Sequence, residues 1–343
     1  MSSSHRPLES QSFPSTGFDL VDPSVLLEEE TIPNYKPQRF YPVRIGQVLN
    51  QQYQVVGKLG YGASSTVWLC RDLLGHDYVT LKIYVNSSRM HRELPIYRHL
   101  DKIHSNHPGR RCLRMLLDSF IIDGPDGQHV CRAHHPLGMS LHELKTRTRG
   151  KVFSKDVLRT ATILQLLAVV DYLLKEAHVI HTGEARLGDE EHQDDIMPDV
   201  YRAPEVILGM KWGYKVDIWN VAMVIWDLFE HDRLFQARNS NGGHDDAYHL
   251  AQMVAVLGPP PLDFLKQGTN FLKYWDESGN WRGLAPIPDI NLEKLEQRLT
   301  GDDKDLFLHF VKRMLCWMPE QRPTAEEAIF DPWLMEGLFD TSN

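Results

Sequence analysis

The chain has 343 residues, 42% hydrophobic and 24% charged, with a formal net charge of -9. That length suits one two-lobed domain or two ordinary ones, and the composition is that of a soluble globular protein. The acidic balance argues against direct nucleic-acid binding, and the longest apolar run, "ATILQLLAVVDYLL", is broken by Gln165 and Asp171 and reads as too short for a membrane span. Residues 1 to 20 carry one Arg and no apolar core, which excludes a signal or transit peptide from expectation. Cys70, Cys112, Cys131 and Cys316 show no CxxC spacing, so reduced thiols in a cytoplasmic or nuclear protein are expected. The seventeen histidines lack a metal-site context, and no metal ligand is assigned.

Residues 1–38 hold Ser, Pro and the run Glu28-Glu29-Glu30 without periodicity, and are expected to form a disordered arm. Strand-like text follows: "YQVVGKLG", "STVWLCRD" and "YVTLKIYV". In the third run Val79, Leu81, Ile83 and Val85 alternate with Tyr78, Thr80, Lys82 and Tyr84, placing Lys82 on the polar face. "RMHRELPIYRHLDKI" reads as a helix, and "MLLDSFIID" and "QHVCRAHH" read as strands joined by "GPDG". From Gly138 onward the text is mainly helical, from "SLHELKTRT" through "KVDIWNVAMVIWDLFE" to "KDLFLHFVKRMLCW". The expected fold class is therefore α+β: a small antiparallel β-rich lobe over 39–136, a larger α-helical lobe over 137–337, and a tail at 338–343.

"LGYGASSTVW" places a G-x-G between two strands, where Gly60 and Gly62 let a phosphate chain approach the backbone. A lone G-x-G is weak, because an ordinary hairpin turn has the same text. Order adds weight. Lys82 follows Val67 by fifteen positions on the next strand, and Glu93 follows eleven later in the helix, able to pair with it. The helical half adds Ala203-Pro204-Glu205, Asp217 in "KVDIWN" and Arg322 in "PEQRPT". A buried Glu205 needs a charged partner, and Arg322 is the natural bidentate one.

With these motifs the chain resembles the eukaryotic protein kinases, and most closely the SR-protein kinases of fungal type. The resembling text includes "IPNYKPQRFYPVRIGQVLNQQYQVVGKLGYGASSTVWLCRDL", "HRELPIYRHL", "GDEEHQDDIMPDVYRAPEVILG", "YKVDIWNVAMVIWDLFE" and "LGPPP". It spans about residue 30 to Leu334. The resemblance implies a two-lobed kinase fold and ATP- and magnesium-dependent phosphorylation of serines in Arg/Ser-rich proteins, with a part in splicing regulation. It further implies that Leu59, Gly60, Gly62, Val67 and Thr80 surround the nucleotide, that Lys82 holds phosphates and that Glu93 positions Lys82. The linker from His135 to Leu137 would offer backbone hydrogen bonds to the adenine edge.

One segment of that pattern is missing. "HVIHT" runs toward the catalytic loop, where an Asp should follow Thr182, but Gly183 follows and takes the place of the glycine of D-F-G. His181 and Thr182 are the remnant of the loop. The Asp that accepts the substrate proton is gone, as are the Asn and Asp that hold magnesium. From His181 to Glu205 is 24 positions, whereas a complete segment needs roughly twenty more. Asp189, Glu190, Glu191, Asp194 and Asp195 read as activation-segment text rather than a substitute metal site. Removing the base alone costs about a hundredfold to ten-thousandfold, so this chain is expected to be impaired or inactive.

Smaller departures accompany the gap. Pro95 is expected to disturb the helix and displace Glu93. Thr80 replaces a small Ala, "RAHH" puts His134 behind the nucleotide, and Met318 precedes Pro319 where Asp is usual. The omission is expected to shorten a link between elements that must sit apart, leaving a marginal helical core. Asp289, Glu293, Glu296, Asp302 and Asp303 form a candidate docking surface for arginine-rich partners, with a solvated helix and loop as the alternative. Three readings stay open: a kinase whose sequence lacks an exon, a pseudokinase that docks Arg-rich or kinase partners, and an unrelated α/β ligand-binding protein.

Overall fold

The computed structural model describes residues 6–14, 16–86, 93–180, 185–187, 192–193 and 195–336. His181, Thr182, Gly183, Asp189, Glu190, Glu191 and Asp194, all singled out above, lie outside the described residues. The chain divides into two compact units, one of Met1–Tyr97 with Arg114–Gly138, the other of Arg98–Leu113 with Met139–Asn343.

The first unit is built on a six-stranded antiparallel sheet of β1 (Val48–Leu49), β2 (Tyr53–Gly62), β3 (Ser65–Asp72), β4 (Tyr78–Tyr84), β5 (Leu116–Gly124) and β6 (Gly127–His134). Its strand order is β1-β2-β3-β4-β6-β5. β5 and β6 are closed by Pro125-Asp126, and Gly127 leaves the turn at φ +135°, a conformation that excludes side chains. Period-two burial puts Val55, Cys70, Leu81, Ile83, Cys131 and Ala133 in one core, with Tyr53 stacked on Phe120 at 5.5 Å. One-sided burial does not hold along β4, because Thr80 and Tyr84 are buried as well. Tyr84 is covered by polar partners from β6 and from helix α1 (Glu93–Lys102), described below.

The composition of residues 6–38 does not anticipate the contacts they make. Leu8 donates its N–H to Leu73 O at 2.7 Å. Gln11 and the buried Gln54 exchange two hydrogen bonds, at 2.9 and 2.7 Å, which satisfies an amide on β2. Glu28 and Glu29 both pair with Lys58.

The second unit is helical. It holds α2 (Leu141–Arg147), a π-helical stretch Val157–Ile163 running into α3 (Leu164–Lys175), α4 (Pro204–Ile207), α5 (Lys215–Phe229), α6 (Asp246–Leu257), α7 (Leu262–Leu265), α8 (Phe271–Tyr274), α9 (Leu292–Leu295), α10 (Gly301–Met314), α11 (Ala325–Ile329) and α12 (Pro332–Met335). The expectation for the apolar run is corrected here: the continuous helix Val157–Lys175 is long and apolar enough to cross a membrane. Its Leu158, Ile163, Leu167 and Val170 nevertheless belong to the core of this unit, which is the ordinary setting of such a helix. That core is not marginal. Trp219, Trp226, Trp275 and Trp333 are fully buried, and Phe307 packs on Phe229 at 5.0 Å and on Trp333 at 4.9 Å.

The missing segment has a different structural consequence from the one expected. β7 (Val179–Ile180) and β8 (Arg186–Leu187) flank the join, and they pair directly, Val179 opposite Leu187 and Ile180 opposite Arg186. These two elements therefore sit side by side rather than apart.

Candidate nucleotide site and the join

In the sheet unit the strand registers bring the expected phosphate-binding residues to one level. Gly60 on β2 lies opposite Val67 on β3, which lies opposite Lys82 on β4. A two-residue turn, Ala63-Ser64, closes β2 and β3 between Gly62 and Ser65. Gly60 and Gly62 are in ordinary extended backbone, so their contribution is space: no atom lies within 4 Å of where a Cβ would stand at either position. Leu59 is 54% exposed and Leu137 68% exposed, so both remain available to a flat apolar ligand. Thr80 is buried, and its Oγ1 has no hydrogen-bond partner among the described residues.

The next rung holds a residue that the motif reading missed. Lys82 lies directly opposite Arg132 of β6, so the two cations share one face of the sheet. Arg132 is 1% exposed. Its Nη1 donates to Tyr84 Oη at 2.8 Å and forms an ion pair with Glu93, while Tyr84 Oη donates to Glu93 Oε2 at 2.8 Å. The expected Lys82–Glu93 pair is thus replaced by an Arg132–Glu93 pair. Among the described residues Lys82 has no carboxylate within ion-pair distance, and its Nζ lies 4.7 Å from the Tyr84 ring centroid. Burial lowers the pKa of Lys82; the field of Glu93 opposes this, and those of Arg132 and Arg114 add to it.

Pro95 does not act as a helix breaker. The described helix runs from Glu93 through Pro95 to Lys102 without a break. Glu93 is drawn away from Lys82 by the buried guanidinium of Arg132. The sequence signal was present in "VCRAHH", a charged residue within an otherwise apolar strand. Assigning it required the β4–β6 pairing, which periodicity cannot supply.

Two further features alter the back of this site. His134 is buried, and its Nδ1 donates to Met115 O at 3.0 Å. Burial lowers its pKa to about 4, so the ring is neutral at pH 7. Arg114 Nη2 donates to His135 O at 3.3 Å and so engages one of the linker carbonyls expected to face adenine.

In the helical unit, the motif residues match their expected roles closely. Glu205 on α4 and Arg322 are 1% exposed and form a bidentate pair at 2.6 and 2.7 Å. The remaining Arg322 N–H groups go to Cys316 O and Lys215 O, so all five donors are used, and the guanidinium lies 5.1 Å from the Trp219 ring centroid. Asp217 is buried in the first turn of α5. Met318 packs against the core just before Pro319.

The acidic docking candidate is largely neutralised by its own neighbours. Glu296 is buried, accepts from the Arg298 and Leu299 amides at Oε1, and forms an ion pair with Lys304. Glu293 pairs with Lys312, Asp289 with Lys294 and Asp303 with Lys155. Among the described residues no three His, Cys, Asp or Glu side chains gather as a metal site. The Asp and Asn that the resemblance implies as magnesium ligands do not occur in the sequence where Thr182 meets Gly183.

Comparison with known proteins agrees with this geometry. The protein kinase domain family matches residues 184–334, beginning one residue after Gly183. A serine/threonine protein kinase of Aspergillus fumigatus is 42% identical over 371 aligned positions, covering 94% of each chain. The serine/threonine-protein kinase SRPK of Physarum polycephalum is 27% identical, covering 90% of this chain and 92% of its own. Among solved structures, the crystal structure of a kinase domain superposes with a TM-score of 0.73 at 22% identity, over 87% of this chain and all of that one. The β-rich and helical units are those of a kinase fold, and the chain belongs to the serine/threonine protein kinases, resembling at greater distance their SR-protein-kinase type.

Proposed function

We propose that this chain is a nucleotide-binding member of its family that does not transfer phosphate. The single observation that carries the reading is the direct join of Thr182 to Gly183, which leaves no residue to accept the substrate proton and none to anchor magnesium. The alignment supports it. As 94% of 343 residues is about 322, about 49 of the 371 positions aligned with the Aspergillus kinase have no residue here. The family uses ATP with magnesium in general. In this chain the nucleotide would be held by Gly60, Gly62, Val67, Thr80 and Lys82, and the chemistry it supplies is a transferable phosphoryl group for which the chain offers no acceptor base.

By resemblance to the SR-protein kinases, its partners are Arg/Ser-rich proteins, in the cytoplasm or nucleus and without direct contact to nucleic acid. The paired acids at Glu293 and Asp289 speak against that face as the docking surface. A second reading, an active kinase gene represented by a transcript lacking one exon, is favoured by the direct pairing of β7 and β8, which lets the segment be left out cleanly.

Purified chain, incubated with labelled ATP, magnesium and an Arg/Ser-rich peptide, is expected to incorporate no phosphate above a Lys82→Met control. Lys82-dependent labelling of serine would overturn the proposal. Transcripts read across the codons for Thr182 and Gly183 separate the two readings, because an in-frame segment encoding the missing Asp and Asn assigns this chain to a splice form.

A further inference from the structure

The sheet unit concentrates positive charge where the family relies on a metal. Lys82 and Arg132 are cross-strand neighbours, and Arg114 is close enough to depress the proton affinity of both Lys82 and His134. Among the described residues the carboxylate whose field reaches Lys82 is Glu93, and Arg132 holds it together with Tyr84. In a balanced arrangement Lys82 and Glu93 would neutralise one another, and a divalent ion would offset the charge of the nucleotide phosphates. Here Arg132 holds the carboxylate, and Lys82 is left half-buried with no carboxylate in ion-pair contact among the described residues. A desolvated cation of that kind gains more from an arriving anion than a cation already in an ion pair.

We propose that this site takes a nucleoside triphosphate as the metal-free polyanion in preference to its magnesium complex. Lys82 is the phosphate contact, and Arg132 is the positioning residue that frees it by holding Glu93. The inference rests on the nucleotide-binding reading above and adds a ligand form to it. Magnesium would lower the negative charge of the ligand by two and so weaken its attraction to Lys82.

The test is calorimetric titration of the whole chain with ATP, once in EDTA and once in excess magnesium. We expect the dissociation constant to be about tenfold lower in EDTA, equivalent to about 1.4 kcal/mol. Arg132→Met returns Glu93 to Lys82, and should weaken metal-free binding about tenfold and abolish the preference. Glu93→Gln removes the carboxylate that opposes these cations and should tighten metal-free binding a fewfold. The opposite signs separate charge from fold, because a purely structural role would weaken both variants, and that result overturns the proposal. Tighter binding in magnesium overturns it too while leaving the nucleotide reading intact. No binding under either condition overturns both. If Arg132→Met does not fold, Glu93→Gln together with the EDTA-to-magnesium ratio of the unmodified chain still decides.

Discussion

Two buried arginines, one in each unit, each hold a glutamate and differ in what surrounds them. In the helical unit Arg322 uses all five donors on Glu205 and three carbonyl bonds, inside a core of tryptophan and phenylalanine. It is a closed structural bond with no charge left over. In the sheet unit Arg132 shares Glu93 with Tyr84, and Lys82 stands opposite on the next strand without the carboxylate that the motif order promised it. The same chemistry thus seals one region and unbalances the other. Buried ion pairs are poor evidence of stability in themselves; their neighbours decide whether they are structural or functional.

The sharpest way to break this contrast is Glu205→Ala, which leaves the Arg322 guanidinium buried without its carboxylate. We expect a loss of about 3–5 kcal/mol, read by denaturant unfolding with tryptophan fluorescence, since Trp219 lies against that guanidinium. Arg132→Met should cost less, about 1–3 kcal/mol, because Lys82 is at hand as a replacement partner for Glu93. Equal losses in the two variants would show that the sheet pair is as closed as the helical one.

A pH titration gives a further, smaller effect. His134 has a pKa near 4 when folded and an ordinary value near 6.5 when unfolded, so below 6.5 the unfolded chain binds the extra proton. Its contribution is fully present above pH 6.5 and is lost as the pH falls toward 4, by roughly 1–3 kcal/mol. His249, buried with both ring nitrogens unpartnered and its pKa lowered to about 3, adds a slope of the same sign in the helical unit. His134→Phe should flatten the acid side of the curve, and an unchanged slope would show that His134 does not contribute to it.

Much of the architecture was readable from the chain itself, because alternation and amphipathic spacing are local properties. The β-strands from Tyr53 to His134 and the α5 helix follow directly from that text. The Glu205–Arg322 pair was also legible, since a buried acid permits few partners. The Arg132–Glu93 exchange was not: it depends on β6 lying beside β4, a pairing between residues some fifty positions apart in sequence. The neutralised acids near Glu293 escaped in part for the same reason, since the lysine paired with Asp303 is the distant Lys155. Composition likewise missed the bonds of Gln11 and Leu8, which form only because the sheet offers Gln54 and Leu73 as partners.

The β7–β8 rung turns the omission into a matter of topology. A stretch that departs and returns at the same rung is a detachable cassette: its presence or removal re-threads no other strand or helix, and loop closure varies by only about 0.6 kcal/mol per doubling of its length. Two isoforms of one gene, one carrying the cassette and one not, could keep the same scaffold on either side while differing in whether they catalyse.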